Sequence, residues 1–322
     1  MNKKLKILVI RFSSIGDIIL TTPVIRCLSL QLSADIDFLT KSKHKDILIT
    51  NVYLRNILTV SKNHIETIKI LQSEEYDLII DLQNNLHSMC LRLALGVKSY
   101  SYQKKTFRRY LLIYFGVDLL NDHVVDRYFQ SVVKLGVFND SKGIDYLVAN
   151  SKDPQLNINQ DYICWCIGGT YEQKKLSYSQ IYNVVSKLKI PVLLLGGTEE
   201  KKISKKLIDN PQLKSVHDFC GNITIQESAY LIQKSKLLLT NDTGIMHIAS
   251  AFKIPIICFW GCTKPSLGFE AYMTSNKLEN LITPISKIPC SKHGRYCRKK
   301  SNGCIKSIRP QTIYEAILRL LK

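Results

Sequence analysis

Four short stretches combine residue types that could handle phosphate, hydroxyls and protons. "SSIGD" (13–17) offers one carboxylate, Asp17, between an apolar run and an apolar-periodic one. A carboxylate so placed can take the proton of an attacking hydroxyl, although a first-turn aspartate is also favoured by the helix dipole. "IGGTYEQKK" (167–175) sets Gly168 and Gly169 where backbone can approach a ligand, with the Thr170 hydroxyl and the charges of Lys174 and Lys175 following. "TNDTGIMH" (240–247) delivers Asn241, Asp242, Thr243 and Gly244 to a helix start. Free N–H groups and a positive dipole end make that an anion site, while Asp242 or Thr243 would equally serve as an ordinary cap. "LLLGGTEE" (193–200) ends with Glu199 and Glu200, either available to a ribose hydroxyl. The G-x-x-x-x-G-K-[ST] order is absent, and Gly16 alone does not make G-x-G-x-x-G, so neither a Walker loop nor a nicotinamide fingerprint is present.

These turns need strands to deliver them. Apolar runs predict strands at 5–10, 35–39, 57–60, 77–81 and 97–101, with helices at 17–31, 84–95 and 126–135. The segment 102–115, "YQKKTFRRYLLIYF", is basic and aromatic. A polar, turn-rich stretch then places a boundary near 150–160. The pattern restarts with strand-into-turn units at 162–169, 190–200, 236–244 and 253–261, and helices at 225–235 and 245–252. Alternating strands and helices in both halves predict two parallel-sheet α/β domains, 1–155 and 156–310, and a closing amphipathic helix at 311–322 that packs back on the first. Asp35-Ile36-Asp37 spells D-x-D, but it alternates with Ile36 and Phe38 and reads as strand polarity. His247 reads as a packed helix residue.

The net charge of +19 calls for an anionic partner: nucleic acid, a membrane surface, phosphates or an acidic glycolipid. No helix-turn-helix, zinc-finger or RNP signature supports nucleic acid. Lys3, Lys4 and Lys6 ahead of Ile7–Ile10 mimic a signal peptide, but Arg11 ends the apolar run too early, and no run approaches a membrane span. The reading is cytoplasmic, with contact at a membrane face left open. Cys27, Cys90, Cys164, Cys166, Cys220 and Cys258 read as small core residues of a reducing compartment. Cys290, Cys297 and Cys304, with His293 nearby, could ligate zinc; without C-x-x-C pairs they read as a surface loop with thiols or a local disulfide.

In order along nearly the whole chain, "KILVIRFSSIGDIILTTPVIRCL", "DLQNN", "GGTYEQKKLS", "LLLGGTEE" and "CGNITIQESAYLIQKSKLLLTNDTGIMHIASAFKIPIICFWG" resemble glycosyltransferase family 9, the ADP-heptose:lipopolysaccharide heptosyltransferases. S-x-G-D and D-T-G-x-M-H are specific as a pair. The resemblance implies an α/β GT-B fold of two Rossmann-like domains facing a cleft, inverting transfer, and neither cofactor nor metal. It makes Asp17 the base, and Thr170 and Lys174 the donor-phosphate contacts. Glu200, with Glu199 as the alternative, falls on the donor ribose, and Ile223 packs on adenine. Asp242 holds sugar hydroxyls, with Thr243 and Gly244 presenting backbone to the phosphates. Ser14, Lys104, Lys105, Arg108 and Arg109 fall to an anionic lipopolysaccharide acceptor, or, for the last four, to a solvated helix face. The chain departs from the family at Leu176 and Ser177, where an aromatic residue and a proline are usual, and at Ile245, where proline is usual. These leave the donor sugar open, and a nucleotide-sugar epimerase and a basic nucleic-acid binder stand as rival readings.

Overall fold

The computed structural model describes residues 4–148, 154, 160–272 and 277–322. The chain begins β1 (Lys6–Ile10), α1 (Ile15–Ile19), α2 (Thr22–Gln31), β2 (Asp35–Thr40), β3 (Asn56–Thr59) and α3 (His64–Ser73). It continues β4 (Leu78–Asp81), α4 (Leu86–Leu95), β5 (Ser99–Ser101), α5 (Thr106–Phe115) and α6 (Val124–Phe129). Then come β6 (Ile163–Cys166), α7 (Tyr178–Val185), β7 (Val192–Leu195), α8 (Lys201–Ile208), β8 (Val216–Asp218) and α9 (Ile225–Lys234). The last elements are β9 (Leu238–Asn241), α10 (Gly244–Phe252), β10 (Ile256–Trp260), β11 (Leu278–Ile282) and α11 (Pro310–Leu320).

Two compact units result. One holds the chain up to Lys105 with Asp122–Leu147, the other Thr106–Asn121 with the chain from Val148 onward. The first sheet is parallel, in the order β3-β2-β1-β4-β5. The second is parallel too, in the order β11-β10-β9-β6-β7-β8. Strand order reverses between β1 and β4 in one and between β6 and β9 in the other. Such switch points open a crevice beyond the carboxyl ends of the strands, where ligands bind. The turns singled out above follow β1, β4, β6, β7 and β9.

Every residue of β4, β6, β7, β9 and β10 is buried, as expected of parallel strands covered on both faces. Alternate residues of β6 show it: Ile163 and Trp165 join one apolar cluster, Cys164 and Cys166 another. The helix expected over 17–31 is broken. Thr21 and Thr22 turn their hydroxyls back to the carbonyls of Ile18 and Ile19 at 2.6 and 2.8 Å, and Pro23 brings no N–H to the restart. The helix expected at 126–135 is α6 followed by a short 3-10 turn, ended by Gly136 in the left-handed region.

Several expectations are corrected. α11 lies in the second unit, where Ile313, Ala316 and Ile317 are buried in one cluster with Trp165, Ile181 and Val184. The segment carrying α5 also belongs there, because Leu112, Ile113 and Leu120 pack with Leu267. Cys90 is exposed, whereas Cys27, Cys164, Cys166, Cys220 and Cys258 are buried. Asp37 is not mere strand polarity: it is fully buried, accepting from Arg55 Nε at 2.9 Å and from the Tyr76 hydroxyl at 2.7 Å. The stretch 290–304 is an irregular and largely exposed loop, as expected, but its thiols turn inward, unpaired by disulfides: Cys290 and Cys304 are buried and Cys297 is half-buried.

If α11 is part of the second core, Ile317→Ala should destabilise the protein by about 2–5 kcal/mol, the usual cost of truncating a buried isoleucine. Urea unfolding followed by tryptophan fluorescence measures it, and a change under 1 kcal/mol would leave α11 peripheral.

Candidate active site

At the first switch point the turn after β1 is built around Arg11. This side chain is buried and donates through Nε to the Ser13 carbonyl at 2.8 Å and through Nη1 to the Leu82 carbonyl at 2.5 Å. Its Nη2 pairs with Asp17 Oδ1 at 2.9 Å, and its guanidinium lies over the Tyr128 ring. Asp17 Oδ2 accepts from the Ser14 amide at 3.1 Å and the Ser14 hydroxyl at 2.9 Å. A carboxylate has about four lone-pair sites, so three bonds leave one, on Oδ1, with about a fifth of the side chain open to solvent (21%). Burial pushes the Asp17 carboxyl up, but the Arg11 guanidinium and the Ser14 donors outweigh it and hold the carboxyl below the usual range. The group is an oriented, ionised carboxylate.

"DLQNN" supports this turn. Gln83 Oε1 accepts from the Phe12 amide at 2.9 Å, and the Leu82 amide donates to the Ile10 carbonyl at 3.1 Å. Asp81, fully buried, accepts from the amides of Gln83 and Asn84 and pairs with Arg92 Nε at 3.0 Å.

The second switch point is held by Asn241. Its buried amide, at the end of β9, donates to the Gly168 carbonyl at 2.8 Å beyond the end of β6. That link ties the two turns, and Lys174 Nζ meets Asp242 Oδ2 at 2.7 Å. Thr243 is the extended N-cap of α10, with its hydroxyl 3.2 Å from that of Thr240, and Gly244 opens the helix. Thr170 is exposed, and Ile223 is half-buried against the cluster that includes Cys164 and Met246.

Of the two glutamates, Glu200 is buried: Oε1 pairs with Lys175 Nζ at 2.7 Å and Oε2 accepts from the Gly197 amide at 2.9 Å. Glycines make this possible. A Cβ on Gly196 would lie 2.9 Å from the Glu200 Cβ, and one on Gly168 would lie 3.2 Å from Oε2. Glu199, by contrast, stands 81% exposed.

The basic stretch does not form one surface. Arg109 is buried, Lys105 pairs with Asp122, and Arg108 is exposed with a 3.4 Å bond to the Leu119 carbonyl. Lys105 belongs to the first unit, while Arg108 and Arg109 belong to the second. Three residues that matter were not assigned from sequence: Arg11, Asn241 and Lys175 as the partner of Glu200. Asn241 was visible in the quoted turn, whereas Arg11 had no signal beyond ending an apolar run.

Comparison with known proteins gives the family and the fold. The pattern described as "Glycosyltransferase family 9 (heptosyltransferase)" matches residues 65–299. The chain is 22% identical to lipopolysaccharide heptosyltransferase 1 of Campylobacter coli, over 98% of this chain and 99% of the relative. It superposes on a family 9 glycosyl transferase from Veillonella parvula with a TM-score of 0.80, at 18% identity, covering 100% of this chain and 98% of that one. An E. coli heptosyltransferase WaaC structure with ADP gives a TM-score of 0.73 at 16% identity, over 98% of this chain and 100% of that one.

Asp17 has a depressed folded-state pKa, so its ion pair contributes stability fully above the unfolded value, ~3.9, and loses it as pH falls through the lower folded value. Arg11→Gln removes the largest lowering charge and leaves burial. The Asp17 titration should then move to higher pH, read directly by carboxyl NMR or as a raised acid limb in melting temperature. An unmoved titration would mean that Arg11 does not set the charge state of this carboxylate.

Proposed function

The chain belongs to glycosyltransferase family 9 and is a glycosyltransferase of GT-B fold, and from that premise we propose that it moves heptose from ADP-heptose to the anionic core of lipopolysaccharide. The reaction is a single displacement with inversion at the anomeric carbon and no catalytic metal ion. The observation that carries this reading is the second switch point, where Asn241 joins two turns and brings Lys174 within 2.7 Å of Asp242 at the start of α10. It supplies a cation, helix N–H groups and a sugar-binding carboxylate in one place. The Campylobacter relative is a lipopolysaccharide heptosyltransferase and the E. coli structure carries ADP, which supports both substrates.

In this reading the acceptor hydroxyl attacks the anomeric carbon and gives its proton to Asp17 Oδ1, the oxygen with a lone pair to spare. The bond from that carbon to the diphosphate oxygen breaks, and ADP leaves with the bonding electrons. Lys174 and the amino terminus of α10 offset the charge that develops on the leaving phosphate. Thr170 adds a hydroxyl to the phosphates, Thr243 and Gly244 add backbone, and Ile223 borders the adenine. The ribose contact falls to Glu199, because Glu200 is buried against Lys175 and the Gly197 amide while Glu199 is exposed. Ser14 orients the base rather than binding the acceptor. On α5, exposed Arg108 and exposed Phe107, Tyr110 and Phe115 suit an acceptor with anionic sugars and a lipid end. Among the described residues no helix is long and apolar enough to cross a membrane, so membrane contact in this reading is peripheral, on the cytoplasmic face.

Asp17→Asn keeps size and most hydrogen bonding but cannot take the proton. It should lower kcat by roughly 10²–10⁴-fold, with donor affinity unchanged and the rate indifferent to brief EDTA. A normally active variant would remove Asp17 as the base.

Lys174→Ala should weaken binding of both ADP and the nucleotide sugar, since a lysine–phosphate contact is charge-assisted. Asp242→Ala should weaken only the nucleotide sugar. Calorimetric titration of both ligands separates these, and equal losses for ADP and donor in Asp242→Ala would take the sugar away from this carboxylate.

A further inference from the structure

Four of the ten cysteines converge in the second unit, behind the turn that carries Lys174. Cys262 follows β10, and Cys290, Cys297 and Cys304 come from the stretch after β11. Cys262 Sγ lies 4.0 Å from Cys304 Sγ, and Cys290 Sγ lies 3.9 Å from Cys297 Sγ. The sulfurs of Cys262, Cys290 and Cys297 are all within 4.8 Å of one another. Sulfurs at the corners of a tetrahedron around a zinc-like ion, each about 2.3 Å from it, stand about 3.8 Å apart. A disulfide requires about 2.0 Å. Three of the sulfurs have the spacing of thiolates around one ion, and that of Cys304 adjoins them through Cys262.

We propose that Cys262, Cys290, Cys297 and Cys304 form a closed site for one structural metal ion that favours tetrahedral thiolate ligation, zinc or ferrous iron. Four protein ligands leave no open position, so the ion holds structure and does no chemistry. Charge supports the assignment. A divalent ion with four thiolates carries a net charge of −2, and Lys264 is buried beside it, two residues after Cys262, at 1% exposure. Its ammonium donates to the Gly261 carbonyl, and among the described residues it has no carboxylate partner. A buried ammonium without a counter-charge is costly, and the metal thiolate supplies one.

The chain around the site needs such a staple. From Thr283 to Gly303 it forms neither helix nor strand, and a loop that long rarely holds one shape unaided. The backbone is nevertheless tied at the cysteines: the Cys290 amide donates to the Cys262 carbonyl at 2.7 Å, and the Thr283 hydroxyl donates to the Cys304 carbonyl at 2.7 Å. The same loop carries Arg298, which donates to the Ile113 carbonyl of α5 and lies over the Tyr114 ring.

The test is elemental analysis of the full chain purified under reducing conditions without added metal. About one zinc or iron per chain is expected, and the element found distinguishes the two. Exchange with cobalt(II) should give the intense visible bands and sulfur-to-metal charge transfer of a tetrahedral thiolate complex. Cys297→Ser, at the least buried of the four, should lower metal content and remove the charge transfer; Cys90→Ser should change neither. Removing the metal with a mercurial and a chelator should speed tryptic cleavage between Lys292 and Lys300. If Cys297→Ser does not fold, the wild-type stoichiometry and cobalt spectrum decide. Protein that holds no metal and takes up neither zinc nor cobalt overturns the proposal. Cysteine pairs found as disulfides in cells lysed into an alkylating agent overturn it too, as does a folded Cys297→Ser with full metal content.

Discussion

Burying Arg11 at the end of β1 sets the terms for the first unit's site. A guanidinium has five donors and no way to lose its charge, so the chain around it must provide acceptors and a negative partner. Here the acceptors are the carbonyls of Ser13 and Leu82, and the charge is Asp17. The carboxylate is therefore positioned by need rather than by local helix chemistry. A capping interaction with Ser14 alone would leave Asp17 as one more first-turn acid, worth a few tenths of a kcal/mol to 1 kcal/mol. With Arg11 behind it, the same group is ionised, oriented, and left with one oxygen able to accept a proton. Asn241 plays the matching part in the second unit, with an amide in place of a charge: by holding the Gly168 carbonyl, it decides where Lys174 and Asp242 can meet.

The parallel strands were legible because both of their faces are covered. β1, β4, β6, β9 and β10 therefore appear as unbroken apolar runs, and each ends in a polar turn where the residue pattern changes. β8 and β11 were missed for the converse reason. They are edge strands: "VHD" has one apolar residue, and in "LENLI" Glu279 and Asn280 interrupt the apolar run. The helix break at Thr21 and Thr22 depends on two hydroxyls turning back to carbonyls, and that competes with an apolar period that runs straight through it.

Within the sites, what a turn displays could be read and what stands behind it could not. Asp17, Lys174, Asp242 and Gly244 follow directly from glycine and acid placed after a strand. The partners that give them direction come from far along the chain: Leu82 lies 71 residues from Arg11, and Gly168 lies 73 from Asn241. Glu199 and Glu200 are neighbours in sequence, and only Lys175 and the Gly197 amide, engaging Glu200, separate their roles. The cysteine cluster was half-visible. The even spacing of Cys290, Cys297 and Cys304 is plain, but Cys262 comes from the turn after β10, and without it three thiols do not make a tetrahedron.

That cluster stands closer to the turn carrying Lys174 than its place in the sequence implies. Gly303 has φ +94, and a Cβ there would lie 2.8 Å from the backbone of Gln173; a Cβ on Gly294 would lie 2.7 Å from the side chain of Lys174. Cys262 Sγ approaches the Gln173 carbonyl at 3.7 Å, and Lys306 pairs with Glu172 at 2.9 Å. The short turn Glu172–Lys174 thus rests on the cysteine-bearing loop, glycine against backbone, with no side chain between to absorb movement. Lys174 has Asp242 in front of it and this loop behind it. Its stem cannot swing back without displacing Gly294, so its ammonium is kept forward against Asp242. If the cysteines hold an ion as proposed, the shape that the ion gives to an irregular loop also sets the position of this one charge.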